Sequence, residues 1–164
     1  MITSKFKIWR TIKLGLHKSS EEYRRVLRGR KYRIRYYHAD QFFDKIPISQ
    51  EAIEVDLVLA TSRELGLEGY AHFDVICNCA LENGLQRCPS EVGPALREQY
   101  PDQPKNDWLP IAMEPILIPD DPYGRRGIFC MERDVSIFWL SSGLIFSNNF
   151  FDSDRLLVFR FLRK

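Results

Sequence analysis

Long apolar runs are missing from these 164 residues. A membrane helix needs about 20 consecutive apolar residues. The longest candidate stretches, 109–118 and 136–146, are broken by Glu114, Pro115, Ser141 and Ser142. Met1-Ile2-Thr3-Ser4-Lys5 opens into lysine-interrupted sequence without the apolar centre of a leader. The sequence therefore predicts no membrane span, no secretory signal and a cytoplasmic protein. Cysteine is scarce: Cys77, Cys79, Cys88 and Cys130 include no C-x-x-C pair, and in the cytoplasm they stay reduced. The nine glycines never cluster behind a strand, so no Walker A or G-x-G-x-x-G cradle exists for a nucleotide. G-x-S-x-G and H-E-x-x-H are also missing. No cofactor is expected.

Net charge is small as well, +2, but it is a cancellation. Residues 1–36 hold twelve Lys or Arg against two Glu, a net +10, and residues 37–164 hold twelve against twenty acidic residues, a net −8. Opposite charge on two parts of one chain points to partners or to self-pairing. The 45% hydrophobic fraction suits an ordinary globular core and excludes wholesale disorder. The length predicts a single domain over 1–164.

Residues 5–14 alternate, with Phe6, Ile8, Ile12 and Leu14 on one face and Lys5, Lys7, Trp9, Thr11 and Lys13 on the other. That period predicts a half-buried strand. Ser19 with Glu22 makes a capping box. The helix behind it turns Tyr23, Val26 and Leu27 inward and Arg24, Arg25 and Arg28 outward, and Gly29 is its natural stop. A short helix over 36–44 is anchored by Tyr37, Phe42 and Phe43 and closed by Ile46-Pro47. Residues 53–61 alternate as a second strand, with a turn at Glu64-Leu65-Gly66.

Residues 72–83 place Phe73, Ile76, Cys77, Ala80 and Leu81 at helical spacing, with Gly84-Leu85 as the stop. Another helix runs from Pro94, as first helical residue, to about Tyr100. Residues 108–118, 126–133, 135–141 and 155–163 are aromatic and branched, with turns at 120–124 and 141–143. They predict an antiparallel meander whose first strand Pro110 and Pro115 push to an edge. The expected class is α+β: short N-terminal strands and helices, then a C-terminal meander packed on helices.

One stretch resembles a known family. Cys88-Pro89-Ser90-Glu91-Val92-Gly93-Pro94-Ala95-Leu96-Arg97-Glu98-Gln99-Tyr100, then Asp102-Gln103-Pro104 and the Trp108–Ile116 segment with its Met113-Glu114-Pro115-Ile116 end, resemble a family of small uncharacterised bacterial proteins. The resemblance covers about 55–135 and brings no activity. It implies a bacterial or phage-like origin and a stand-alone small protein.

Three chemistries invite attention. Cys77, Cys79 and Cys88 with His72 suggest zinc, but on a helix residues two apart point about 200° from each other, so Cys77 and Cys79 cannot share an ion; no metal is expected. Cys88 ahead of a helix start could be a nucleophile with His72 or His38 as base, although a structural thiol is the commoner role. Glu91, Arg97, Tyr100, Asp102, Gln103 and Trp108 form the densest polar cluster. Arg97 and Tyr100 sit at i, i+3, and Arg97 could pair with Glu91 or Asp102. The cluster reads either as an anion pocket with Tyr100 and Trp108 for stacking or as a buried network fixing the 88–108 loop.

The basic segment interleaves Arg24, Arg25, Arg28, Lys31 and Arg33 with Trp9, Tyr23, Tyr32 and Tyr36. That mixture suits phosphate contacts and base stacking. The helix-Gly-helix order is reminiscent of a helix-turn-helix, but Asp40 and Asp44 on the second helix oppose phosphates, so backbone gripping is expected and not base reading. The alternative is that these cations meet the chain's own acidic residues. The leading expectation is a non-enzymatic bacterial binding or accessory protein. It contacts nucleic-acid backbone non-specifically, or an acidic protein surface, through Arg24, Arg25, Arg28, Lys31 and Arg33, with Arg97, Tyr100 and Trp108 second. The runners-up are a small hydrolase or transferase built on Cys88 or Arg97/Glu91, and an immunity- or antitoxin-like inhibitor.

Overall fold

A computed structural model describes residues 5–35, 37–146 and 150–163, with the side chain of Tyr37 left aside. The leader reading at Met1–Ser4, the helix start at 36 and Tyr36 lie outside the described residues. The fold is α+β. The elements run β1 (Arg10–Leu14), α1 (Ser20–Gly29), β2 (Arg33–Ile34), α2 (Tyr37–Phe42), β3 (Ile53–Thr61), β4 (Ala71–His72), α3 (Phe73–Glu82), β5 (Leu85–Gln86), α4 (Val92–Gln99), β6 (Asp107–Pro110), β7 (Ile116–Leu117), β8 (Arg126–Arg133), β9 (Phe138–Ile145), β10 (Phe150–Phe151) and β11 (Leu156–Phe161). No helix among the described residues is long and apolar enough to cross a membrane.

Two larger sheets carry the chain, beside a two-stranded antiparallel pair of β4 and β10. The first has the order β1-β3-β11-β5, all antiparallel. The second has the order β2-β9-β8-β6, with β7 also on β8. β9-β8-β6 is an antiparallel meander as expected, and Pro110 does sit on its edge strand, but the turn expected at 141–143 lies inside β9, where Ser141, Ser142 and Gly143 pair with Cys130, Phe129 and Ile128. The last strand departs from expectation: β11 leaves the meander and pairs with β3 in the first sheet. The sequence there buries Leu157, Val158 and Phe159 in succession, which suits a central strand covered on both faces and not a half-solvated meander strand.

Residues 111–112 stitch the sheets together. The Ile111 N–H donates to Phe129 O at 3.0 Å in β8, and the Ala112 N–H donates to Val158 O at 2.9 Å in β11. Helix α4 packs against β1 and α1 on one side and β8 and β9 on the other. Gly93 permits that approach, since a Cβ there would stand 2.3 Å from the Phe129 ring. Pro94 is the third helical residue and not the first, still within the turn whose N–H groups lack intrahelical acceptors. One contiguous cluster of buried residues runs from Phe6 to Phe159.

The polar residues of α4 tie down backbone elsewhere. The Gln99 side-chain amide accepts from Lys13 N at 2.9 Å and donates to Lys13 O at 2.8 Å. It thereby completes the hydrogen bonding of one residue on edge strand β1, a place where a second chain could otherwise add. Glu91, almost fully buried, accepts from Gly15 N, Tyr23 Oη and Ser49 N at 2.7–2.8 Å. Burial and the neighbouring Glu91 carboxylate push the Tyr23 phenol up from its ordinary value.

Local expectations fare unevenly for physical reasons. The Ser19 cap forms, with Glu22 N donating to Ser19 Oγ at 3.2 Å and Glu22 reaching Lys18 N at 2.8 Å. Ile8 is exposed and Leu81 more so: the regular strand begins only at Arg10, and none of the described residues covers the outer side of α3 at Leu81. Gly29 is not the left-handed stop of α1. Lys31 takes that conformation at φ 64°, with Lys31 N donating to Arg28 O at 3.2 Å and Tyr32 N to Leu27 O at 3.0 Å. These two bonds are the Schellman pattern. In α3, Gly84 does occupy the left-handed stop, at φ 82°.

Candidate functional site

The twelve cations of residues 1–36 divide into three groups. Arg10, Arg24, Arg28, Arg30 and Arg35 make ion pairs. Lys5 and Lys18 donate to backbone carbonyls of Glu64 and Gln50. Lys7, Lys13, Arg25, Lys31 and Arg33 make no ion pair among the described residues. Asp40 of α2 and Asp44, just past the helix, which ends at Phe42 and not at 44, take part in the first group. Asp40 accepts from Arg24 Nε at 2.9 Å and lies 3.6 Å from Arg28, and Asp44 lies 3.6 Å from Arg24. Arg24 does not point outward as the helical wheel suggested. Its side chain is 11% exposed and lies over Phe43, and Glu21 and Asp40 hold its pKa above the ordinary value despite the opposing effect of burial.

Three of the singled-out cations converge. Arg28, Lys31 and Arg33 line an open groove of about 970 Å³, with Tyr32, Trp139 and Asp40 among its other walls. Helix α1 supplies Arg28, its Schellman end supplies Lys31, and β2 supplies Arg33. Because β2 pairs parallel with β9 in the register Arg33↔Trp139, the two side chains emerge on one face. The Arg33 guanidinium lies 5.9 Å from the Trp139 ring and that of Arg35 4.2 Å from it. The Trp139 indole N–H donates to Asp134 at 3.0 Å. Arg25 is exposed on α1, at i, i+3 from Arg28.

The second cluster is assembled differently. Arg97 is fully buried. Its Nη1 donates to Gln103 Oε1 at 2.6 Å and Trp139 O at 3.2 Å, and its Nη2 to Tyr100 O at 2.7 Å. The expected pairing with Glu91 or Asp102 is not made: Glu91 is spent on Gly15, Ser49 and Tyr23, and Asp102 faces Arg10 at 3.0 Å. Burial pulls the Arg97 pKa down to about 10, so the group stays charged at neutral pH. The Tyr100 ring is packed edge-on to Trp9 at 5.0 Å. Trp108 lies apart from both, half-buried on β6.

Cys88 is buried, and its Sγ contacts Val158 O at 3.6 Å. Burial pushes its thiol up, against the direction a nucleophile needs. Burial likewise raises Cys77 to about 11. No group of three or more His, Cys, Asp or Glu residues able to hold a metal occurs among the described residues.

Sequence reading missed Trp139 and Arg155. Trp139 belongs to an alternating stretch, Ile137-x-Trp139, so its strand was visible but its neighbours were not. Arg155 reads only as a charge beside a strand; it lies 4.7 Å over the Trp108 ring. What fold and groove define is an α+β protein with a basic, tryptophan-lined depression on its five-stranded sheet. Compared with protein families, curated proteins and solved structures, the chain matches none.

Proposed function

We propose that this is a small bacterial accessory protein that grips nucleic-acid backbone without reading sequence, through the groove of Arg28, Lys31 and Arg33. The bacterial part rests on the Cys88–Pro104 and Trp108–Ile116 resemblance. The observation that carries the binding part is that two cations without ion pairs among the described residues, Lys31 and Arg33, open into one groove beside an aromatic ring. Unpaired guanidinium and ammonium groups at a surface are free to replace the counterions of a phosphate chain. Asp40 and Asp44 do not argue against this, because Arg24 and Arg28 already engage them. Arg24 belongs to the scaffold of the groove, and Arg25 extends its rim.

Retention on immobilised DNA, measured against salt, tests the reading. The wild-type protein binds at low salt and elutes as salt rises. Lys31→Glu/Arg33→Glu weakens binding at least tenfold and lowers the slope of log K against log salt by about 2, one unit per lost phosphate contact. A wild-type protein that does not bind DNA at 50 mM salt, or a double variant that binds as wild type, discards the proposal.

A further inference from the structure

The basic groove is one end of a longer track. Strand register places Arg33, Trp139, Glu132 and Trp108 in one row across β2, β9, β8 and β6. Directly paired residues point to the same face, so this row lies on one side of the sheet. The two tryptophans stand two strand spacings apart, about 10 Å. A smaller depression between them is lined by both rings together with Arg35 and Glu132. Beyond Trp108 a third, of about 450 Å³, is lined by Tyr70, Ile128, Gly143, Phe150 and Arg155. Trp139 is thus a wall of the first and second depressions, and Trp108 of the second and third.

We propose that the nucleic acid held here is single-stranded and crosses this sheet face, with bases stacking at Trp139, Trp108 and the Tyr70–Phe150 end. The inference rests on the groove reading above and adds the strand class. Both ends of the track carry cations with no ion pair among the described residues, Lys31 and Arg33 at one and Arg155 at the other. Its middle carries Asp107, Glu132 and Asp134, which repel phosphate, beside Arg133 and Arg35; Arg35 lies 3.6 Å from Glu132 and 3.9 Å from Asp134. A single strand can turn its bases toward that row and its phosphates away. A duplex hides its base faces and offers only phosphate, so it can use the groove and not the far aromatic end.

Exposure fits the division. Tyr70 is 71% and Phe150 54% exposed, large apolar rings left at the surface. Arg35 over Trp139 and Arg155 over Trp108 present guanidinium planes, which stack on bases as aromatic rings do. Gly143 keeps the third depression open: a Cβ there would stand 3.1 Å from Cys130 Sγ and 3.8 Å from Trp108.

Fluorescence anisotropy with a labelled oligothymidine 15-mer and a 15-base-pair duplex tests this at fixed low salt. Wild type binds the single strand more tightly than the duplex. Trp108→Leu lowers single-strand affinity about tenfold, the loss of one stacked base, and leaves duplex affinity unchanged. Tyr70→Ala, at an exposed position, lowers single-strand affinity several-fold and keeps the test valid where Trp108→Leu fails to fold. Equal affinity for both polymers, or variants that leave single-strand binding unchanged or weaken both polymers alike, overturns the inference and leaves the groove reading standing. Binding of neither polymer by the wild type overturns both.

Discussion

Arg97 of α4 and Arg33 of β2 pack against opposite faces of β9, and their surroundings could hardly differ more. Arg97 lies on the Phe138 side of β9, 5.1 Å from that ring, fully buried and bonded to carbonyl oxygens. Arg33 lies on the Trp139 side, exposed and without an ion pair among the described residues. Adjacent residues of β9 therefore serve a scaffold on one face and an open groove on the other. The contrast shows what a sequence cluster of arginines cannot convey: a guanidinium dissolved in backbone carbonyls is structure, and one left facing water is available to a ligand.

The sharpest way to break that comparison is to remove each group in turn. Arg97→Met keeps the length of the side chain and strips its donors, leaving Gln103 Oε1 and the carbonyls of Tyr100 and Trp139 short of a partner. Unmet buried polar groups cost about 1–3 kcal/mol each. A total loss of about 3–5 kcal/mol follows once relaxation and water entry are allowed for. In a protein of this size that is roughly 6–20 °C in Tm. Lysine does not restore it, because a point charge cannot reproduce a planar fork. Arg33→Met changes stability by no more than about 0.5 kcal/mol, as surface substitutions do. Urea denaturation of the two variants checks this, and equal stabilities would erase the distinction between the faces.

The two faces also differ in what acid can reach. On the outer face, the Trp139 indole N–H and the backbone N–H groups of Ile137 and Ser136 all donate to Asp134, and these bonds hold its carboxyl below the ordinary value of 3.8. A carboxylate with a depressed pKa stabilises above the unfolded-state value and loses that contribution as pH falls through the lower, folded-state value. The Trp139 indole anchor is therefore intact at pH 5 and released only below about 3.8. On the inner face, the oxygens that Arg97 meets are amide carbonyls, which do not titrate there. The indole N–H resonance of Trp139, followed from pH 5 downward, moves in the wild type and is insensitive in Asp134→Asn. A resonance that titrates equally in both proteins contradicts the arrangement.

Much of this architecture could be read from residues alone, and the parts that could not have a common cause. Local chemistry was legible. Ser19 with Glu22 capped α1, period two marked β3, helical spacing marked α3, Gly84 ended it, and Pro110 marked an edge. Pairing across the chain was not. Nothing in 155–163 says that this segment crosses to β3 while β9 stays with β8, because both destinations accept aromatic and branched residues. The Arg97 neighbourhood was legible as polar but not as lacking a direct carboxylate partner, since Glu91 and Asp102 lie close in sequence and turn elsewhere in space, while Asp107 meets Arg97 only through Gln103. The charge split was visible from the start. Which cations Asp40 and Asp44 would engage depended on α1 and α2 packing side by side, and Trp139 joined the groove only through the β2–β9 register.

Lys31 offers the finest separation between scaffold and groove, because it serves both. Its backbone closes α1 at φ 64°, a conformation that disfavours L side chains, while its side chain lines the groove. Lys31→Gly removes the steric cost of the left-handed stop, and glycine's greater freedom in the unfolded chain offsets part of the gain. Stability therefore stays level or rises, by under about 1 kcal/mol, and DNA affinity falls by the share of one phosphate contact, a slope change of about 1 in log salt. Glycine suits the backbone and has no charge, whereas Lys31→Glu keeps the backbone penalty and reverses the charge. Comparing the two by thermal melts and salt titration divides the residue's roles. If Lys31→Gly unfolds the end of α1, the left-handed closure depends on the side chain and not on the backbone, and the groove and the helix stop cannot be treated as independent.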